Sequence, residues 1–343
     1  MAASVVLVAC AADAEVAAFV LDSESGALAP AGRYPVAGLR EPMPAGMPLA
    51  LGADGRVLYA GWRNPPYPVT CFRITADGGL EAFGTGHLAA PMAYLATDAA
   101  GRVLFAASYH GGLLAVHPLD AEGVPGAAAQ TFDSLPKAHS ILPDPEGQAV
   151  YAGVLGADRI LRGAFTGNPG EPLAPLSVAA YSRRGAGPRH LRFAREGKLL
   201  YAVNELDGTL TAYARDGESG VLGELQTVAL AAPAGGGRTL AAADLRLTPD
   251  ERFLYANERA HAVIAGFRLA ADGRLRPVAA MPTAPEVRSF AIDPSGRWLV
   301  AASFETGALS VWEIDGESGA LRPAGGGPVG ARAAWVEIAP LPV

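Results

Sequence analysis

Apolar and β-branched residues in this chain come in short runs, broken by turn formers every 8–12 residues or so, a rhythm of strands rather than helices. One phrase recurs: GRVLYA at 55–60, GRVLFA at 101–106, GQAVYA at 147–152, GKLLYA at 197–202, ERFLYA at 251–256 and GRWLVA at 296–301. VLVA at 6–9 is a seventh copy without its turn. The residues before each alanine stand at 8, 59, 105, 151, 201, 255 and 300, about 49 apart, which is one seventh of the 343 residues. Around each phrase the pattern predicts four strands: one before the turn, as at 191–193 and 290–292, one within the phrase, a third as at 263–267 or 309–312, and a fourth opened by a Gly-x-Leu step. Gly26 and Leu28, Gly273 and Leu275, and Gly319 and Leu321 are examples of that step.

Short strands repeating with a period near 50 predict an all-β, seven-bladed β-propeller with four-stranded antiparallel blades. The chain opens on the second strand of a unit, at 5–9, and AWVEI at 334–338 reads as a first strand with nothing after it. The C-terminal strand is therefore expected to join the N-terminal blade, closing the ring and removing an open edge. The expectation is a single domain over 1–343.

Composition narrows the partners. Hydrophobic residues make up 50% and charged residues 18%, which excludes a disordered chain. With 42 Gly and 28 Pro a helical bundle is disfavoured. The net charge is −7, and only Lys137 and Lys198 are lysines, so neither a basic run nor a nucleic-acid partner is expected. Cys10 and Cys71 are too few for a disulfide framework or a zinc site. No apolar run approaches the roughly 20 residues of a membrane span. Leu7 to Cys10 has the look of a lipoprotein cleavage box, but no Lys or Arg precedes it and the apolar run is short, so a buried strand is expected instead. A cytoplasmic protein with no membrane partner, monomeric or a weak homo-oligomer, is the resulting expectation.

Candidate chemistry comes from aligning the repeats on the turn. Eight residues before it stand Met47, Ala93, His139, Arg189, Ala243 and Arg288; seven before it stand Pro48, Tyr94, Ser140, His190, Asp244 and Ser289. Four residues past each marker stand Arg63, Tyr109, Leu155, Glu205, Arg259 and Phe304. Because the second strand returns antiparallel to the start of the first, these columns meet at one mouth of the central channel. The mouth is expected to gather Arg63, Tyr109, His139, Arg189, His190, Glu205, Asp244, Arg259 and Arg288, a set suited to an anionic small molecule. His110 and His261 are expected at its rim. No His, Cys or carboxylate set has metal-ligand spacing, so neither a metal nor another cofactor is expected.

Several phrases go beyond what a propeller needs. GAGPRHL at 185–191 followed by YAVNEL at 201–206 resembles the signature of the seven-bladed β-propeller lactonase family, which includes the bacterial 6-phosphogluconolactonases of propeller type and fungal carboxy-muconate cyclase. AHS at 138–140, ASY at 107–109, ADRI at 157–160 and AADL at 242–245 resemble the bacterial members, and the likeness runs from the first blade to Trp335. Tyr94, where a polar pair is usual, and Glu258, where Asp or Asn is usual, depart from it. The resemblance implies active-site roles for His139, Arg189, Glu205 and Arg259; the aligned columns add Arg63, Tyr109, His190, Asp244 and Arg288 as the residues expected to bind substrate. It implies metal-independent hydrolysis of a sugar lactone, 6-phosphogluconolactone first, with Glu205 or His139 activating water and Arg189 and Arg259 holding the oxyanion. A non-phosphorylated sugar lactonase, a lactone isomerase or cycloisomerase, and a non-catalytic interaction propeller are the alternatives.

Overall fold

In the computed structural model, which describes residues 3–38, 46–231 and 239–342, 28 strands form seven antiparallel sheets of four. The inner strands Leu49–Leu51, Tyr94–Thr97, Ala138–Pro143, Pro188–Ala194, Ala242–Leu247, Val287–Ile292 and Ala333–Pro340 each touch the next around a ring, and the last touches the first. The strand Ala333–Pro340 pairs antiparallel with Ser4–Cys10, Val6 opposite Ile338, so blade 1 is built from both ends of the chain as the repeat pattern predicts. Blades 2 to 7 follow in chain order. Cys10 is fully buried in that first pair. Among the described residues the only helix is the 3-10 turn Leu155–Ala157, and no helix is long and apolar enough to cross a membrane.

The core lies between blades rather than at one centre. Phe253, Tyr255 and Ile264 of blade 6 pack on Leu299, Ala301 and Trp312 of blade 7, and Trp298 and Val300 of blade 7 pack on Val6 and Val8 of blade 1. The two phrases that repeat along the sequence are the halves of one inter-blade joint. In blades 2, 4, 5 and 6 the marker tyrosine donates its hydroxyl to the glycine carbonyl of the next blade's Gly-x-Leu step or its equivalent: Tyr59 to Gly123 at 2.9 Å, and Tyr151 to Gly220, Tyr201 to Gly273 and Tyr255 to Gly319 at 2.8 Å. Between blades 7 and 1 the indole of Trp298 does the same to Ser23 at 3.0 Å. Gly273 must be glycine for two reasons: its φ is +83°, and a Cβ there would stand 2.6 Å from Leu199.

A second device sets the functional end of five blades. At the start of the inner strand the pairing slips by one residue, leaving His139, Arg189 and Arg288 unpaired between partnered neighbours, with Ala334 in the same place in blade 1. In blade 6 the irregularity covers Ala243 and Asp244. A bulge re-aims the extra side chain, so the column eight residues before the turn is the bulge column.

The joint predicts a graded response. Tyr201→Phe removes one buried hydrogen bond and should cost about 1 kcal/mol. Gly273→Ala forces a left-handed alanine against Leu199 and should cost more, on the order of 2 kcal/mol. Urea midpoints of the two variants should fall in that order.

Candidate active site

Five bulge-column residues and four second-strand exits meet at the channel mouth. His139, Arg189 and Arg288 stand on inner strands and Met47 and Ala93 just ahead of theirs, while Arg63, Tyr109, Glu205 and Arg259 each follow the end of a second strand. With Gly46, Pro48, His110, Ala334 and Trp335 they line a cavity of about 180 Å³. This is on the order of half a dozen water molecules.

Glu205 stands between two guanidinium groups: Arg189 Nε lies 2.8 Å from Oε2 and Arg259 Nη2 lies 3.2 Å from Oε1. The Arg189 contact is an ion pair off the N–H axis rather than an aligned hydrogen bond. Arg259 is further fixed by Nε donating to the Ala241 carbonyl at 2.9 Å. Glu258, the departure noted in the sequence, anchors the loop that carries Arg259: its buried carboxylate accepts from Ala241 N, Ala260 N and His261 N and from the His261 ring. His261 is thereby tied to Glu258 and does not line the cavity, whereas His110 does.

Glu286 was not legible as a site residue. It bridges the remaining cations, with Oε2 3.4 Å from Arg288 Nε and 3.8 Å from Arg259 Nη1. It sits at φ +51° just ahead of its inner strand, two residues before Arg288, and that alternation is the only signal that could have found it. Arg288 also stacks on Phe304, 3.6 Å from the ring centroid. Arg63 forms no ion pair among the described residues; burial and the nearby Arg288 pull its guanidinium down to about 10. Burial likewise brings Arg189 to about 10, with Arg259 adding to the effect and Glu205 opposing it. Both remain cations at neutral pH.

His139 is buried at the cavity wall, edge-on to Tyr109 at 5.8 Å, and its Nδ1 has no hydrogen-bond partner among the described residues. Burial, then the charges of Arg189 and His190, hold its imidazole well below the usual histidine range, so it is neutral at pH 7. His190 and Asp244, expected to touch substrate, do not line the cavity. Both are fully buried behind it, with His190 Nδ1 2.9 Å from Asp244 Oδ1. The reason is the bulge: it turns Arg189 toward the cavity, and the neighbouring side chain falls beneath. There His190 packs against Tyr94 at 5.0 Å and Trp335 at 5.6 Å, and Arg192 donates to the Tyr94 hydroxyl at 2.9 Å. Arg246 joins Asp244 to Glu337, at 3.3 and 3.2 Å, completing a charged layer below. Among the described residues no group of three or more His, Cys, Asp or Glu could hold a metal.

The family model for the seven-bladed β-propeller lactonases matches residues 5–338. The chain belongs to that lactonase family. Relatives of this lactonase-family chain include the 6-phosphogluconolactonase of Serratia proteamaculans, 37% identical over 298 residues covering 85% of this chain and 87% of the relative. That of Pectobacterium atrosepticum is 36% identical over 295 residues, covering 86% and 88%. Among solved structures, the periplasmic gluconolactonase of Pseudomonas aeruginosa superposes with a TM-score of 0.87 at 27% identity, covering 99% of this chain and all of that one.

The two buried imidazoles of this lactonase-family chain make stability depend on pH. Unfolded, both histidines titrate near 6.5; folded, His139 lies well below that and burial with the Arg189 charge takes His190 to about 3, despite Asp244. Protons therefore favour the unfolded chain as pH falls below about 6.5, and each imidazole should remove roughly 2 kcal/mol between pH 7 and 5. Urea unfolding at the two pH values measures the drop, which His139→Asn should shrink.

Proposed function

We propose that this protein is a metal-independent lactonase that hydrolyses a phosphorylated aldonolactone, with 6-phosphogluconolactone giving 6-phosphogluconate as the favoured reaction. One observation carries the choice of substrate: four guanidinium groups gather at the mouth (Arg63, Arg189, Arg259, Arg288), and Arg63 forms no ion pair among the described residues. A phosphate monoester, which carries about −1.5 to −2 at pH 7, is the anion that such a cluster of guanidinium groups suits. Arg63 and Arg288 receive that phosphate, Arg63 having no carboxylate partner to displace among the described residues.

The hydrolytic step then follows. His139, neutral and at the cavity wall, takes a proton from water as its oxygen bonds to the lactone carbonyl carbon. Both Glu205 oxygens are engaged by arginines, which favours His139 over Glu205 as the acceptor. Arg189 and Arg259 hold the tetrahedral oxyanion. On collapse the ring C–O bond breaks, and the imidazolium returns its proton to the departing alkoxide, leaving the open-chain aldonate. Phosphorylated sugars are confined to the cytoplasm, which is where this reading puts the protein.

The names of the Serratia and Pectobacterium relatives support this substrate, and that of the Pseudomonas structure supports the unphosphorylated alternative. Rates on 6-phosphogluconolactone and gluconolactone, corrected for spontaneous hydrolysis, separate the two. Arg189→Ala should lower kcat by about 10²–10³-fold on either lactone. Arg63→Ala should raise KM roughly tenfold or more for the phosphorylated lactone alone. Near-normal rates in Arg189→Ala end the lactonase mechanism; equal use of both lactones by the parent protein ends the phosphate assignment.

A further inference from the structure

The layer beneath the cavity contains a connected chain that the catalytic reading leaves unused. Asp244 is held by the Leu245 amide at 2.9 Å, by the Ser289 hydroxyl at 3.2 Å and by Arg246 at 3.3 Å. Its Oδ1 meets His190 Nδ1 at 2.9 Å, and His190 Nε2 meets Arg189 Nη1 at 3.1 Å. A carboxylate can only accept, so the His190 proton sits on Nδ1 and the lone pair of Nε2 faces the guanidinium. The ring cannot swing away: it is fully buried, with Tyr94, Trp335 and His139 against it and Arg192 beyond Asp244 at 3.8 Å. Arg189 Nη1 spends its other hydrogen on the Ala243 carbonyl, and Nε is paired with Glu205. Nη2 has neither a hydrogen bond nor an ion pair to any described residue, leaving it for a ligand in the cavity that Arg189 lines.

We propose that Asp244 and His190 are positioning residues that aim Arg189 Nη2 at the reacting oxygen, the carboxylate fixing the imidazole tautomer and the imidazole fixing the guanidinium. The inference rests on the lactonase reading through Arg189, but it concerns two side chains that touch no substrate. Exchanging the carboxylate for an amide is the sharpest perturbation. An asparagine at this position donates to Nδ1, drives the histidine proton to Nε2 and sets an N–H against the guanidinium N–H.

The experiment combines steady-state lactone hydrolysis with 15N spectra of the histidine rings, the His190 signals being those that vanish in His190→Gln. Asp244→Asn should lower kcat about 10²-fold, as if an oxyanion donor were lost. KM should move less than about threefold, since Arg63 and Arg288 bind the phosphate elsewhere. Its spectrum should show the proton moved from Nδ1 to Nε2. His190→Gln, which keeps an acceptor near Nε2, should hold kcat within about tenfold of the parent, whereas His190→Phe should fall with Asp244→Asn. A folded Asp244→Asn with parental kcat overturns the proposal, as does equal kcat in His190→Gln and His190→Phe. So does a parent spectrum with the proton on Nε2, which decides the matter even where Asp244→Asn does not fold. Arg189→Ala separates the two ideas: if it is inactive while Asp244→Asn is unimpaired, positioning alone fails, and if it is fully active, the lactonase mechanism itself fails.

Discussion

Arg63, Arg189, Arg259 and Arg288 come from blades 2, 5, 6 and 7, and only a closed ring brings four such distant stretches of chain to one place. Left to themselves these cations would separate. Burial and their mutual repulsion already depress Arg63, Arg189 and Arg288, so the backbone must supply the restraint. It does so through the pairing of Ser4–Cys10 with Ala333–Pro340 and through the tyrosine–glycine joints, which tie blades across four of the boundaries. The apolar faces between blades provide most of the favourable free energy, and the site draws on that reserve.

The fold was legible because its period is imposed by a contact. The marker tyrosine and the Gly-x-Leu step recur together since each needs the other across a blade boundary, and closure followed from a first strand without a successor. Where Glu251 replaces the turn glycine it keeps the left-handed conformation, φ +54°, and its carboxylate accepts the Arg195 amide at 2.7 Å. The repeat survived that exchange because the geometry did.

The site was legible only in part. Column counting found the residues that line the cavity, because every blade delivers them at the same offset. It could not separate Arg189 from His190, as adjacent strand residues normally point to opposite faces and only the slipped pairing decides which one meets the cavity. No shared residue marks that slip: Pro188 precedes it in blade 5, but Ala138 and Val287 stand there in blades 4 and 7. Glu286 escaped because it belongs to no column, and Tyr94 read as a departure because the partner of its hydroxyl, Arg192, lies 98 residues away. The layer beneath the mouth depends on such long-range pairs, and a one-dimensional pattern does not register them.

The bulge is common to five blades, yet what it presents differs: an imidazole in one, guanidinium groups in two, and only alanine at 243 and 334. It acts as a socket whose backbone is indifferent to its occupant. A chain of this architecture can therefore exchange one lining group at a time, reshaping what it accepts while the scaffold stays as it is, and the alanine sockets here are the vacant places from which a new selectivity would grow.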